Sequence, residues 1–199
     1  TFAKQAAKAP EPVERQQGLL PALRHVGIDG VDHLNFSSYA TTELGKALSL
    51  GYPGEFHHSL AGNFANLDCF WYYVKSANDD QRLRFARSFQ LKNIVKSTPL
   101  DENVQNFYAI FADGMYQRIV ANQKLAAHLR GMDLPLDYYK YPDDGVGAPF
   151  RPTVAPVMIR CLEIIRKALQ MNVPPCFHEL LDSKNRLPSS ASLAEKTAH

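Results

Sequence analysis

Leu67, Phe70, Trp71 and Val74 recur at i, i+3, i+4 and i+7 directly after an asparagine suited to capping. This spacing predicts an amphipathic helix opening near Asn66, with one apolar stripe that has to be buried. The same period governs most of the middle of the chain. Thr41 or Thr42 is placed to cap a short helix with Glu43 in its first turn and Leu44, Ala47 and Leu48 on one face. Gly51, Pro53 and Gly54 end it. The region from Asp79 and Asp80 carries Leu83, Ala86, Leu91, Ile94 and Val95 on one broken helix or two short ones. A longer periodic segment is expected from Asp101, with Val104, Phe107, Tyr108, Phe111, Met115 and Ile119 in register. Asn122 restarts it for Leu125, Ala126 and Leu129, and Gly131 closes it.

A last helix, expected to be capped by Thr153, has Val154, Val157, Met158, Cys161, Leu162, Ile165, Ala168 and Leu169 around more than one face and should be the most buried. Alternation at Leu134, Leu136 and Tyr138 predicts one strand, and Val31–Ser37 and Glu55–Asn63 are further strand candidates. The expected fold is therefore α+β: a mostly helical single domain with a small β-sheet. With 199 residues, 45% hydrophobic, the chain suits one domain with tails. The expected limits are an N-terminal arm over residues 1–29, a domain over 30–172 and a C-terminal tail over 173–199.

The formal charge of +2 gives no global field that would draw the molecule onto nucleic acid or an acidic membrane, so any anion site must be local. No apolar run is long enough for a membrane span and the first residues lack a signal-peptide core, so a soluble, cytoplasmic protein is expected. Cys69, Cys161 and Cys176 have no CxxC spacing and are read as buried small hydrophobes. GxGxxG, the P-loop and GxSxG are all missing, which removes the usual support for a Rossmann enzyme, an NTPase or an α/β hydrolase.

On the helix from Asn66, steps of about 100° put Asp68, Tyr72 and Lys75 at about 100°, 140° and 80° from Leu67, on one face beside the apolar stripe. Asp68 and Lys75 stand roughly 10 Å apart along the axis, beyond the reach of a self-neutralising i, i+4 pair, so each is expected to meet something else. An acid, a phenol and an ammonium flanked by Trp71 would line a pocket that stacks a base and handles a sugar or phosphate. The plainer reading makes Asp68 a favourable charge at a helix start and Lys75 a solvated cation. His57 and His58 are adjacent and face opposite ways in a strand, so no metal site is expected there. His33 would share a strand face with Asn35, and His128 and His178 are read as helix-surface or core residues. Arg82, Arg84, Arg87, Lys92 and Lys96 form a polar face on which contact with nucleic acid is possible. Tyr138, Tyr139 and Tyr141 are candidate stacking surfaces.

The order HLNFSSY, GNFANLDCFWYYVKS, NFYAIFADGMYQRIVANQKLAAHLRGM, the turn DDGVG and a closing helix resembles the NADAR (YbiA-like) family over about residues 33–170. Asn35, Phe36 and Ser37 match its first strand end, and Leu67, Asp68, Cys69, Phe70, Trp71 and Lys75 its helix. Ile119, Asn122, Leu125 and Leu129 match its long-helix motif, and Asp143, Asp144, Gly145, Gly147 and Arg151 its late glycine loop. The resemblance implies an N-glycosidase that hydrolyses a ribose–nitrogen bond in a nucleotide-like or ADP-ribose-like substrate, without a cofactor. It implies Asp68 as the catalytic carboxylate, with Asn35, Phe36, Ser37, Trp71, Tyr72, Lys75, Asp143, Asp144 and Arg151 around the substrate. Asp68 replaces the family's glutamate, the late-loop tryptophan is missing, and the stretch Tyr39 to Ala61 is longer than the usual hairpin, as in phage-encoded relatives. Those departures motivate the alternative of an inactive nucleotide-binding or structural module.

Overall fold

A computed structural model describes residues 27–76, 85, 100–140, 148–149, 151 and 153–181. In chain order the elements are β1 (Leu34–Asn35), α1 (Glu43–Leu48), β2 (Phe56–His58), β3 (Gly62–Phe64), α2 (Leu67–Lys75), α3 (Phe107–Ala121), α4 (Gln123–Arg130), β4 (Leu136–Asp137), β5 (Tyr139–Lys140), β6 (Ala148–Pro149) and α5 (Ala155–Met171), followed by a 3-10 turn at His178–Leu180. β1 pairs in parallel with β4, Leu34 opposite Leu136, while β2–β3 and β5–β6 are antiparallel ladders. The fold is α+β, with mostly helical mass and strands gathered in short pairs. None of the described helices is long and apolar enough to cross a membrane.

Asparagine and threonine caps set three of the helix starts. The Thr42 hydroxyl accepts the Gly45 N–H at 3.0 Å, the Asn66 side chain accepts the Cys69 N–H at 2.9 Å, and the Asn122 side chain accepts the Leu125 N–H at 3.1 Å. Gly45 is required for another reason: a Cβ there would lie 2.0 Å from the Asn35 carbonyl oxygen of β1.

Two starts differ from expectation. α3 opens at Phe107 instead of Asp101, because the Asp101 carboxylate accepts the Asn103 N–H at 2.8 Å in a local turn and Asn106 is left-handed at φ 55°. α5 is not capped by Thr153. Its Ncap is Val154, without a side-chain bond, and the N–H groups of Val154 and Ala155 both reach the Arg151 carbonyl at 2.9 Å. The single strand expected around Leu134–Tyr138 is split into β4 and β5. The helices expected between Asp79 and Lys96 lie outside the described residues, apart from Phe85.

The core is aromatic. Phe70 stacks 5.0 Å from the buried His58 ring and meets Phe64 edge-on at 5.1 Å, while Trp71 sits edge-on to Phe107 at 4.6 Å and to Phe111 at 5.0 Å. On the far side Met158, Cys161, Leu162 and Ile165 of α5 are completely buried, as its all-round apolar pattern requires. Cys69 is buried too, but Cys176 is exposed and corrects the reading of three core cysteines. The stretch expected to be tail from residue 173 contributes Phe177 to the core, and the Arg160 guanidinium holds Glu179 through two bonds of 2.6 Å. Packing therefore continues through residue 181.

α2 and α3 cross closely because Gly114 has no side chain: a Cβ there would stand 2.1 Å from the Phe70 ring. Gly114→Ala forces that ring or one helix to move, and overpacking of this kind costs about 1–3 kcal/mol. Urea denaturation should show a lower midpoint by that amount; an unchanged midpoint would mean that the helices separate freely.

Candidate functional site

Asp68, Tyr72 and Lys75 are the three residues of α2 that are not buried, so the face drawn from the sequence exists. Their fates differ. The Lys75 ammonium lies 2.7 Å from Glu102 and 5.0 and 5.2 Å from the ring centres of Trp71 and Phe107. Its charge is thus paired and capped over aromatic faces, so Lys75 meets Glu102 and not Asp68, as their separation along the helix led one to expect. Trp71 is 5% exposed, with Phe107 and Phe111 edge-on to it and the Lys75 ammonium over its ring. Tyr72 is half-buried with its ring 5.8 Å from Phe85.

Asp68 has a different environment. Its N–H is given to the Leu50 carbonyl at 3.0 Å, which ties the first turn of α2 to the loop after α1. Burial raises the carboxyl above its usual value of 3.8, and the positive charge of Arg151 pulls it part of the way back. Gly51 leaves the space next to this group: a Cβ there would be 3.1 Å from Oδ2. Tyr138 responds to the same two charges. Its phenol is pushed up to about 12, first by burial, with Arg151 lowering it and Asp68 raising it. The sequence placed Tyr138 among exposed stacking residues, yet Tyr138 and Tyr139 are both buried, the first with its ring 5.1 Å from Phe36. Tyr141, Asp143 and Asp144 lie outside the described residues.

Arg151 is exposed, and its backbone is left-handed at φ 54°. That conformation turns the chain from β6 into α5 and sets the guanidinium within electrostatic reach of Asp68 and Tyr138. A carboxyl that holds its proton more readily than usual, a phenol that stays protonated at neutral pH, and a cation thus share one region. Such a set can take a proton from water, give a hydrogen bond and steady an anion.

Asn35, Phe36 and Ser37 stand behind this group as its support. The Asn35 amide donates to the Tyr139 carbonyl at 3.1 Å, and its oxygen accepts the N–H groups of Ser37 at 3.1 Å and Tyr139 at 3.0 Å. The Ser37 hydroxyl donates to the same Tyr139 carbonyl. All three side chains are fully buried, so their role here is to fix the β1–β5 backbone that carries Tyr138. Beside them His33 Nδ1 lies 3.7 Å from the buried Asp137, whose carboxyl is pushed up to about 7 by burial and by the nearby Asp29. On the hairpin His57 is exposed, whereas His58 is buried, accepts two loop N–H groups at Nδ1 and meets Asp113 at 2.9 Å through Nε2. His128 and His178 are on the surface. Among the described residues no group of three or more acidic, histidine or cysteine side chains is placed to hold a metal. The Arg82–Lys96 cluster lies outside the described residues.

For Asp68 and Asp137 the folded state binds the proton more tightly than the unfolded chain does. Their contribution to stability is greatest below the ordinary carboxyl value of 3.8 and is lost as pH rises through the folded values, about 7 for Asp137. Asp68→Asn and Asp137→Asn should each flatten the fall in stability between pH 4 and 8 and raise the neutral-pH midpoint. Denaturant titrations across that range check this, and a steeper slope in either variant would contradict it.

No sequence-family profile matches the chain, and no curated protein matches it in sequence. Its fold does have a match: the solution NMR structure of the E. coli protein YbiA superimposes with a TM-score of 0.55 at 13% identity, covering 74% of this chain and 94% of that one. The chain therefore has a YbiA-like fold.

Proposed function

We propose that this protein is an N-glycosidase that hydrolyses a ribose–nitrogen bond in an ADP-ribosylated or phosphoribosylated substrate, with Asp68 as its carboxylate. The observation that carries the reading is the environment of Asp68, a partly buried acid raised by desolvation and answered by Arg151. In the reaction the carbon–nitrogen bond breaks as positive charge builds on the sugar, and water adds its oxygen to the anomeric carbon. Asp68, ionised, stabilises that charge and takes the proton from the water. The departing nitrogen takes its proton from solvent, since burial leaves the Tyr138 phenol, at about 12, a poorer acid than an ordinary tyrosine. Arg151 suits the phosphate of the substrate.

The YbiA-like fold supports this reading, and so does the sequence resemblance that sets Asp68 and Arg151 at motif positions of the family. A second reading, binding without turnover, is favoured by one observation: aspartate is one methylene shorter than the family's glutamate. Misplacement of about 1 Å can cost roughly 100-fold in rate.

The experiment is incubation with ADP-ribosylated nucleic acid and with phosphoribosylated amines, following release of ADP-ribose or ribose phosphate. The wild type should release sugar, and Asp68→Asn should lose at least about 100-fold while remaining folded. Equal turnover by Asp68→Asn would remove the mechanism. Calorimetric binding of ADP-ribose with no release from any substrate would select the second reading.

A further inference from the structure

Arg118, near the end of α3, is a buried cation. It is 5% exposed, its Nη2 donates to the Ala47 carbonyl, and the Tyr52 ring lies 5.9 Å away. Its Nη1 is buried and makes no hydrogen bond, and among the described residues no carboxylate lies within ion-pair distance. Burial lowers the guanidinium to about 10, which still leaves it charged at neutral pH. A buried cation without a counter-charge is costly, and proteins keep one when something else supplies the anion.

The space for that anion is present. Arg118 lines a cavity of about 500 Å³ between α1, the loop at residues 52–55 and the start of α4. Asn122 and Lys124 bring the N-terminal end of the eight-residue helix α4 to the same cavity, so its positive pole adds to the field of Arg118. Lys124 and His128, one turn apart on α4, put a cation and a titratable ring on the rim. Glu43 and Glu55 line the cavity too, and their carboxylates accept hydrogen bonds from hydroxyl groups and repel a second anion. One pole for an oxyanion and another for hydroxyl donors fit a phosphorylated polyol. A bare phosphate would leave most of the volume empty.

We propose that the Arg118 cavity is a binding site for a small sugar phosphate, with the phosphoryl group at the Arg118 guanidinium and the start of α4, and the hydroxyl groups toward Glu43 and Glu55. This site is distinct from the Asp68–Arg151 pair and does not depend on the glycosidase reading. Loop residues 50–54 connect the two places: Leu50 accepts the Asp68 N–H, Gly51 abuts its carboxylate, and Tyr52 and Gly54 line the cavity.

Calorimetry on the full chain with ribose 5-phosphate, inorganic phosphate and ribose tests the proposal, alongside the ¹⁵N–¹H signal of the Arg118 guanidinium. Ribose 5-phosphate should bind and shift that signal, inorganic phosphate should bind at least tenfold more weakly, and ribose should not bind. Arg118→Met should lose at least tenfold in affinity, in line with a hydrogen bond to a charged group. Lys124→Ala, an exposed position that leaves the core intact, should lose about two- to fivefold. Lys167→Ala, an exposed cation on α5 away from the cavity, should bind ribose 5-phosphate as the wild type does. No binding, binding of inorganic phosphate as tight as of the ester, or binding lost in Lys167→Ala but kept in Lys124→Ala would overturn the assignment. If Arg118→Met does not fold, the guanidinium signal and Lys124→Ala decide.

Discussion

The fold around the candidate site hangs on the side chain of Asn35. One buried amide serves three backbone groups from two distant parts of the chain, the N–H of Ser37 and both the N–H and the carbonyl of Tyr139. The strands involved are only two residues long, so ladder hydrogen bonds alone give them little hold on each other. A side chain that completes the backbone bonding of both does what a longer sheet would otherwise do. Tyr138 lies between the strands so fixed, and its position relative to Asp68 and Arg151 follows from them. Gly45 belongs to the same arrangement, since α1 can approach β1 only where no Cβ intervenes.

Asp68, Asp137 and Arg118 are among the ionisable groups that the fold holds away from water against their preference. Each lowers stability at neutral pH relative to a neutral group of the same shape. Asp137 has His33 and Asp29 around it, Asp68 has Arg151, and Arg118 has an aromatic ring and one carbonyl. Two of them, Asp68 and Arg118, lie on two sides of the loop at residues 50–54, which is where a ligand would relieve the tension.

The helices were legible because their signals are local. The Asn66 and Asn122 caps and the stripe of Leu67, Phe70, Trp71 and Val74 are written within a few residues of one another, and the structure follows them. The failures have non-local or conformational causes. Nothing in the periodicity marks Asn106 as left-handed, and Thr153 lost its capping place because the Arg151 carbonyl serves the first N–H groups of α5. The face of Asp68, Tyr72 and Lys75 was read correctly, but helical geometry cannot say what approaches from outside. Glu102, 27 residues on, neutralises Lys75, and α3 encloses Trp71. Arg118 gave no signal at all, since an arginine at a helix end reads as a surface residue until the chain folds over it. The doublet Tyr138–Tyr139 pointed to stacking, whereas both rings went inward when the predicted strand divided in two.

Arg151 adopts a backbone shape that glycine would enter without strain, at a cost of roughly 1–2 kcal/mol for a residue with a Cβ. The same residue's carbonyl receives the N–H groups of Val154 and Ala155 where α5 starts. The guanidinium that acts on Asp68 is therefore mounted where the last helix begins, and the turn that starts α5 also fixes the charge that tempers the acidity of the site.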